Sequence, residues 1–245
     1  MPRYKITVEY DGTDYAGWQQ QKDAPSIQEE LQKAAFAFLN ENVVVTGAGR
    51  TDAGVHATGQ VAHFDTEKNV DPFRVSQAFN AHLRPQPVSV LDAEIVPDDF
   101  HARFSAQKRH YVYKILNRRS RPALYENRVW WVQRPLDESK MADAAQALIG
   151  KHDFTTFRAA ACQAKSPVKT LDEIRIERYG DFVFCYFSAR SFLHHQVRNI
   201  VGTLKLVGEG LWTKQDVVNA LNAKDRKAGG PTADAAGLYF DRVDY

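Results

Sequence analysis

Val43-Val44-Val45-Thr46-Gly47-Ala48-Gly49-Arg50-Thr51-Asp52-Ala53-Gly54-Val55-His56-Ala57-Thr58-Gly59-Gln60-Val61-Ala62-His63-Phe64-Asp65 reads as a β-branched strand, a glycine loop and a second strand of alternating polarity. The loop holds four of the chain's 14 glycines around one arginine and one aspartate. Glycine at that density marks unusual backbone, and a loop mounted between two strands can aim a short side chain into a cleft. The spacing excludes two phosphate-binding readings. The dinucleotide fingerprint needs a third glycine where Asp52 stands, a carboxylate that repels pyrophosphate, and no helix pattern opens there. A P-loop shares the interval from Gly49 to Gly54 but continues with Lys and Ser or Thr, where this chain has Val55-His56. From the residues alone Asp52 is either a turn residue capping backbone amides or a mounted catalytic carboxylate.

Outward from this stretch the first half reads β-α-β-β-α-β. Tyr4, Ile6, Val8 and Tyr10 alternate with Lys5, Thr7 and Glu9 up to an Asp11-Gly12 turn, which is a half-buried strand. Ser26-x-x-Glu29 is a capping box that opens a helix with Ile27, Leu31, Ala34, Ala35 and Phe38 on one face. Pro72 opens a second helix ending near Leu83, and residues 88–96 form another strand.

The second half repeats the theme loosely. Strands are expected at 109–117 and 128–133, and a helix at 137–149 with Met141, Ala145 and Leu148 inward. A hairpin, 171–178 and 182–190, turns at Tyr179-Gly180-Asp181. Val197, Ile200, Val201 and Leu204 mark an amphipathic helix, Val217, Val218 and Leu221 a shorter one, and 238–243 a closing strand. The expected fold is α+β: two ferredoxin-like, RRM-like halves, residues 1–105 and 106–245, sharing a mainly antiparallel sheet with helices on one face and a cleft between the halves.

At 245 residues, 44% hydrophobic and 25% charged, the chain has the composition of a soluble globular protein with a sizeable core. No apolar run approaches the ~18 residues of a membrane span, and Met1-Pro2-Arg3-Tyr4-Lys5 has no apolar signal region behind it, so no membrane association is expected and the cytoplasm is the expected location. Two cysteines, Cys162 and Cys185, fit a reducing compartment and no disulfide. The eight histidines contain no i,i+4 pair, the chain has no Cys-x-x-Cys, and the neighbours His194 and His195 point apart on either regular element, so no metal site is expected.

The formal net charge is only +2, but its distribution is uneven. Between Phe100 and Tyr125 there is no Asp or Glu, while Arg103, Lys108, Arg109, Lys114, Arg118, Arg119 and Arg121 fall there among His110, Tyr111 and Tyr113. Basic side chains interleaved with stacking groups suit a phosphate-tracking surface, and Lys108, Arg109, Arg118, Arg119 and Arg121 are the candidate contacts to an RNA backbone. Tyr111 and Tyr113, two apart on a strand, share a face, so one of them can lie over an unstacked base.

Several motifs taken together carry a resemblance. Tyr10-Asp11-Gly12, Gly17-Trp18-Gln19, Gly49-Arg50-Thr51-Asp52-Ala53-Gly54-Val55-His56-Ala57, Asp98-Asp99-Phe100-His101-Ala102-Arg103-Phe104-Ser105-Ala106, Arg109-His110-Tyr111-Val112-Tyr113, Phe154-Thr155-Thr156-Phe157-Arg158, His194-His195-Gln196-Val197-Arg198-Asn199 and Gly237-Leu238-Tyr239 follow one another in the order found in the TruA family of tRNA pseudouridine synthases, which the chain resembles along its whole length. The resemblance implies a cofactor-free isomerase acting on tRNA, on uridines at the 3′ side of the anticodon stem-loop, and working as a homodimer. It implies Asp52 as the catalytic residue and Arg198, in Val-Arg-Asn, as the cation paired with it. Arg50 would hold the target phosphate or help open the stem, Tyr111 would stack on the uracil and handle its proton, and Leu238 would wall the base. The alternative from another class is a non-catalytic module that clamps structured RNA by shape, and Asp52 separates the two: a pure binder gains nothing from a desolvated carboxylate that repels phosphate.

Overall fold

In the computed structural model, which describes residues 1–245, the alternation at the amino terminus becomes β1 (Arg3–Tyr10), with Tyr4, Ile6, Val8 and Tyr10 buried. It is followed by α1 (Ile27–Leu39), β2 (Thr46–Gly47), β3 (His56–Asp65), α2 (Pro72–Leu83) and β4 (Val88–Val96). The Ser26 hydroxyl accepts the Glu29 N–H at 3.3 Å and Asp71 accepts that of Arg74 at 3.3 Å, so both helices begin at side-chain caps. β1 lies between β3 and β4, antiparallel to each, and β2 pairs antiparallel with β3. Tyr4 sits opposite Phe64 in the β1–β3 register with the rings stacked at 5.4 Å. Phe79 of α2 meets both Phe64, at 5.6 Å, and Phe38, at 5.2 Å, so sheet and helices share one core. Each such aromatic burial contributes about 1.5–3 kcal/mol.

These elements belong to the first of two units, Met1–Gln107 together with Phe240–Tyr245. They keep the β-α-β-β-α-β order, with one correction. Residues 43–45 are not a strand, and β2 is only two residues long. The Gln28 amide donates to the Val45 carbonyl at 2.8 Å and the Val45 N–H donates to the Gln32 amide oxygen at 3.2 Å. Side chains of α1 thus occupy the backbone groups that a ladder would use, while Val43 and Val45 are still buried.

The second unit, Lys108–Tyr239, carries β5 (Lys108–Asn117), β6 (Trp130–Val132), α3 (Glu138–Ala145), β7 (Gly150–Asp153), β8 (Val168–Leu171), β9 (Glu173–Tyr179), β10 (Phe182–Ala189), α4 (Gln196–Gly208), α5 (Lys214–Ala223) and the start of β11 (Leu238–Asp244). β10 lies between β5 and β9, antiparallel to both, β6 joins β5 in parallel, and β7 with β8 forms a separate antiparallel ladder that the sequence did not announce. One face of β5 and β10 supplies buried Tyr113, Ile115, Val183, Cys185 and Phe187, and the helices add Met141, Ile200 and Leu204 to the core. Burial pushes the Cys185 thiol up to about 12. Both units are therefore α+β with mainly antiparallel pairing, as the patterning implied. β11 runs from the second unit into the first, where it lies beside β3 and the Thr58 hydroxyl donates to Asp241 Oδ1 at 3.2 Å. No helix is long and apolar enough to cross a membrane.

Candidate functional site

In the first unit the loop between β2 and β3 presents Asp52, half-buried, with Arg50 exposed two residues earlier. The chain that leaves β1 braces it. The Tyr10 hydroxyl, at the fully buried end of β1, pairs with Thr51 Oγ1 at 2.8 Å, and burial holds its pKa well above the ordinary tyrosine value. The Trp18 N–H donates to the Thr51 carbonyl at 3.1 Å, and the Gly54 N–H to the Tyr15 carbonyl at 3.4 Å. Within the loop the Val55 N–H donates to the Asp52 carbonyl at 3.2 Å, and the Gln60 amide donates to the Gly49 carbonyl at 3.0 Å. The Gly12 N–H lies 3.1 Å from Nδ1 of buried His56, and the same nitrogen lies 3.1 Å from Asp11 Oδ1, so His56 ties the Asp11-Gly12 turn to the start of β3.

Gly17 shows why no side chain fits in this brace. Its φ is +106°, and an added Cβ would lie 2.3 Å from the Thr51 carbonyl oxygen. The segments Tyr10-Asp11-Gly12 and Gly17-Trp18 are therefore the mount of the aspartate loop. Bonds of this kind contribute about 0.5–1.5 kcal/mol each, so the set holds Asp52 to one geometry without making the loop a core element.

In the second unit Tyr111 and Tyr113 lie on one face of β5, as their spacing required, but their surroundings differ. Tyr113 is fully buried, its hydroxyl donates to the Asp234 carbonyl at 2.6 Å, and burial raises its pKa. A Cβ on Gly237 would meet its ring at 2.6 Å. Tyr113 is a packing residue. Tyr111 keeps 9% of its surface and meets Phe192 edge-on at 5.0 Å.

Arg198 stands half-buried at the margin of the stripe Val197, Ile200, Val201 and Leu204, all of which are buried. Its Nε donates to the Ala233 carbonyl at 2.9 Å, and the Ala233 N–H returns a bond to the Arg198 carbonyl at 3.1 Å. The same segment is fixed by Asn199, whose Oδ1 accepts from Thr232 at 2.7 Å and from Arg226 at 3.1 Å. That network delivers Leu238, which is 6% exposed, to the start of β11. The resemblance implies no role for Asn199. Its spacing gave no hint that its partners lie about thirty residues downstream.

One expectation needs correction. His194 and His195 do not point apart: His195 takes a left-handed conformation, φ +61°, before α4, and the two rings lie 4.1 Å apart. The basic stretch, which lacks acids in sequence, finds them in space. Lys108 lies 3.4 Å from Asp172, Arg118 3.4 Å from Asp181 and Arg121 3.5 Å from Glu126. Arg109 is buried with its guanidinium donating to the Arg190 carbonyl, so it has little surface to offer a polyanion, whereas Arg119 is exposed.

Comparison with known proteins adds a family. The profile of a family described as tRNA pseudouridine synthase matches residues 6–105 and 144–245. The chain is 60% identical to tRNA pseudouridine synthase A of Rhodopseudomonas palustris (strain BisA53) over the full length of both. It is 57% identical to the protein of the same name from Rhodospirillum rubrum, over all of this chain and 88% of that one, and 56% identical to that of Bartonella henselae over the whole of both.

Proposed function

From the premise that this chain belongs to the tRNA pseudouridine synthase family, we propose that it isomerises uridine to pseudouridine in tRNA, on the 3′ side of the anticodon stem-loop, with Asp52 as the catalytic carboxylate. The reaction breaks the bond between uracil N1 and the sugar C1′, turns the uracil, and joins C5 to C1′. N1 ends protonated and C5 gives up its proton, so atoms and electrons balance within the substrate. Asp52 serves either as the nucleophile or as the base that takes a sugar proton to give a glycal, and both routes need one carboxylate held at a fixed distance from the sugar. The observation that carries the reading is the brace around Asp52: Tyr10 on Thr51, Trp18 on the Thr51 carbonyl and Gly54 on the Tyr15 carbonyl.

The other candidates take complementary parts. A carboxylate drawn into a site that excludes water stays charged only beside a cation, and Arg198 fills that part. Tyr111 stacks on the extruded uracil and takes the C5 proton, Leu238 walls the base, and Arg50 holds the target phosphate. We read the working form as a cytoplasmic homodimer in which one subunit anchors tRNA while the other carries out the chemistry. The test is to incubate the purified protein with unmodified tRNA and map pseudouridine by nucleotide-resolution sequencing. Conversion at the anticodon stem-loop is the expected result, and no conversion at any uridine refutes the assignment.

A further inference from the structure

The far end of β5 builds a second basic feature, remote from Tyr111. Asn117 closes the strand and organises the chain around it: its amide donates to the carbonyls of Val132 at 2.9 Å and Arg134 at 2.7 Å, and its Oδ1 accepts from the Leu136 N–H at 3.0 Å and from Arg178 at 3.1 Å. Arg178 also donates to the Leu136 carbonyl at 2.7 Å and to Glu138 at 2.8 Å. The Trp131 indole N–H donates to the Arg118 carbonyl at 2.9 Å. These bonds fix the walls of an open groove of about 700 Å³ lined by residues 117–119, 133–136 and Arg178.

The groove has four arginines and no acidic residue in its lining. Glu138, which is not part of the lining, neutralises Arg178, and its carboxyl is held below the ordinary range by that guanidinium. Arg118 reaches Asp181 only at 3.4 Å, with the carboxylate 55% exposed. Arg119 and Arg134 are exposed and make no ion pair. A surface pair such as Arg118 with Asp181 is weak and exchanges readily for a better anion. Three guanidinium groups on a fixed backbone, each able to present a bidentate fork, suit phosphate.

We propose that this groove binds the phosphodiester backbone of the substrate RNA at a fixed distance from the reacting uridine, with Arg119 and Arg134 as the principal contacts and Arg118 as the third. The groove is open to solvent rather than enclosed, which suits a polymer better than a small buried anion. Six residues of β5 separate Tyr111 from Asn117, about 20 Å at ~3.3 Å per residue. The phosphates held here therefore belong to nucleotides well away from the target, and the strand acts as a spacer. The inference rests on the proposed reaction only in taking RNA as the ligand.

The test measures binding of an unmodified tRNA transcript across a salt series, for the wild-type protein and for the double variant Arg119→Ala/Arg134→Ala. Log affinity should fall with log salt less steeply in the variant by about 1.8, two contacts at about 0.9 each on duplex RNA taken by analogy with B-DNA. KM should rise in parallel while kcat at saturating RNA stays at the wild-type value, because Asp52 and Tyr111 are untouched. Arg119→Lys/Arg134→Lys should restore the slope. If the alanine pair lowers the melting temperature, Arg119→Glu alone carries the same test. A folded variant with wild-type affinity and slope overturns the groove, even where the wild-type enzyme makes pseudouridine. A wild-type enzyme that makes none, but whose salt slope responds to these substitutions, overturns the proposed reaction and leaves the groove standing.

Discussion

Gly17→Ala strikes the mount of the Asp52 loop without touching the carboxylate. The new Cβ would stand 2.3 Å from the Thr51 carbonyl oxygen, 3.0 Å from the Asp52 carbonyl carbon and 3.3 Å from the Ala53 nitrogen. Carbon–oxygen contacts of this kind begin near 3.0 Å, so the backbone beside Asp52 must retreat by at least about 0.7 Å (3.0 minus 2.3). The Trp18 bond to the same carbonyl stretches with it. Misplacement of a reacting group by about 1 Å costs about 10²-fold in rate, and this is the loss expected in kcat. The φ of +106° adds strain of about 1–3 kcal/mol, at about 2–4 °C in melting temperature per kcal/mol for a chain of this size. Single-turnover release of label from C5 of uridine, with enzyme in excess, reads the rate apart from binding. Gly210→Ala separates strain from clash, since Gly210 also has positive φ, +73°, but nothing within 4 Å of a Cβ. It should melt lower and turn over normally. Gly17→Ala with kcat within about twofold of wild type, a change far below the 10²-fold expected of such displacement, refutes the link between the brace and the chemistry.

The two tyrosines of β5 should separate cleanly. Tyr111→Phe should keep tRNA binding and lose about 10²–10⁴-fold in rate if the hydroxyl moves a proton, whereas Tyr111→Ala should lose base stacking as well; a fully active Phe variant would leave Tyr111 as a stacking group alone. Tyr113→Phe leaves the buried Asp234 carbonyl without its donor and should cost about 1–3 kcal/mol in a denaturant melt, with the folded fraction turning over at the wild-type rate. His63 gives a pH dependence of stability. Burial, with His101 and Arg3 nearby, lowers its pKa, so below the unfolded value of about 6.5 the unfolded chain takes up the proton first and stability falls with pH until the folded pKa is reached. His63→Gln should flatten melts over that window, and an unchanged profile would assign the acid loss to other groups. Asp65 and Glu138, whose pKa values Arg3 and Arg178 lower, lose their contributions only at more acid pH, below the unfolded carboxylate range near 4.

Strands and helices with a strong period or a cap were legible in the sequence. β1 alternated, α1 had Ser26, α2 had Pro72, and the structure places all three at the expected residues. Residues 43–45 misled because β-branching reports a preference for extended backbone and not the identity of its hydrogen-bond partner, here Gln28 and Gln32. β7 and β8 carry too few apolar residues in alternation to be seen. At the site, spacing put Tyr111 and Tyr113 on one face but could not tell which hydroxyl the core consumes, because Asp234 lies 121 residues away along the chain. The acids that meet Lys108 and Arg118 were invisible for the same reason. His194 and His195 escaped because the rule that neighbours diverge holds only within regular elements, and His195 is left-handed.

The role of Asp52 is tested most directly by Asp52→Asn, which keeps the shape of the side chain and removes its charge and basicity. Pseudouridine is mapped in unmodified tRNA after single-turnover incubation with each protein, and binding is measured on the same RNA. The wild-type enzyme should convert its target uridine while Asp52→Asn binds equally well and yields no pseudouridine above background. An Asp52→Asn protein that converts the same uridine at the wild-type rate contradicts the assignment of Asp52 as the catalytic carboxylate.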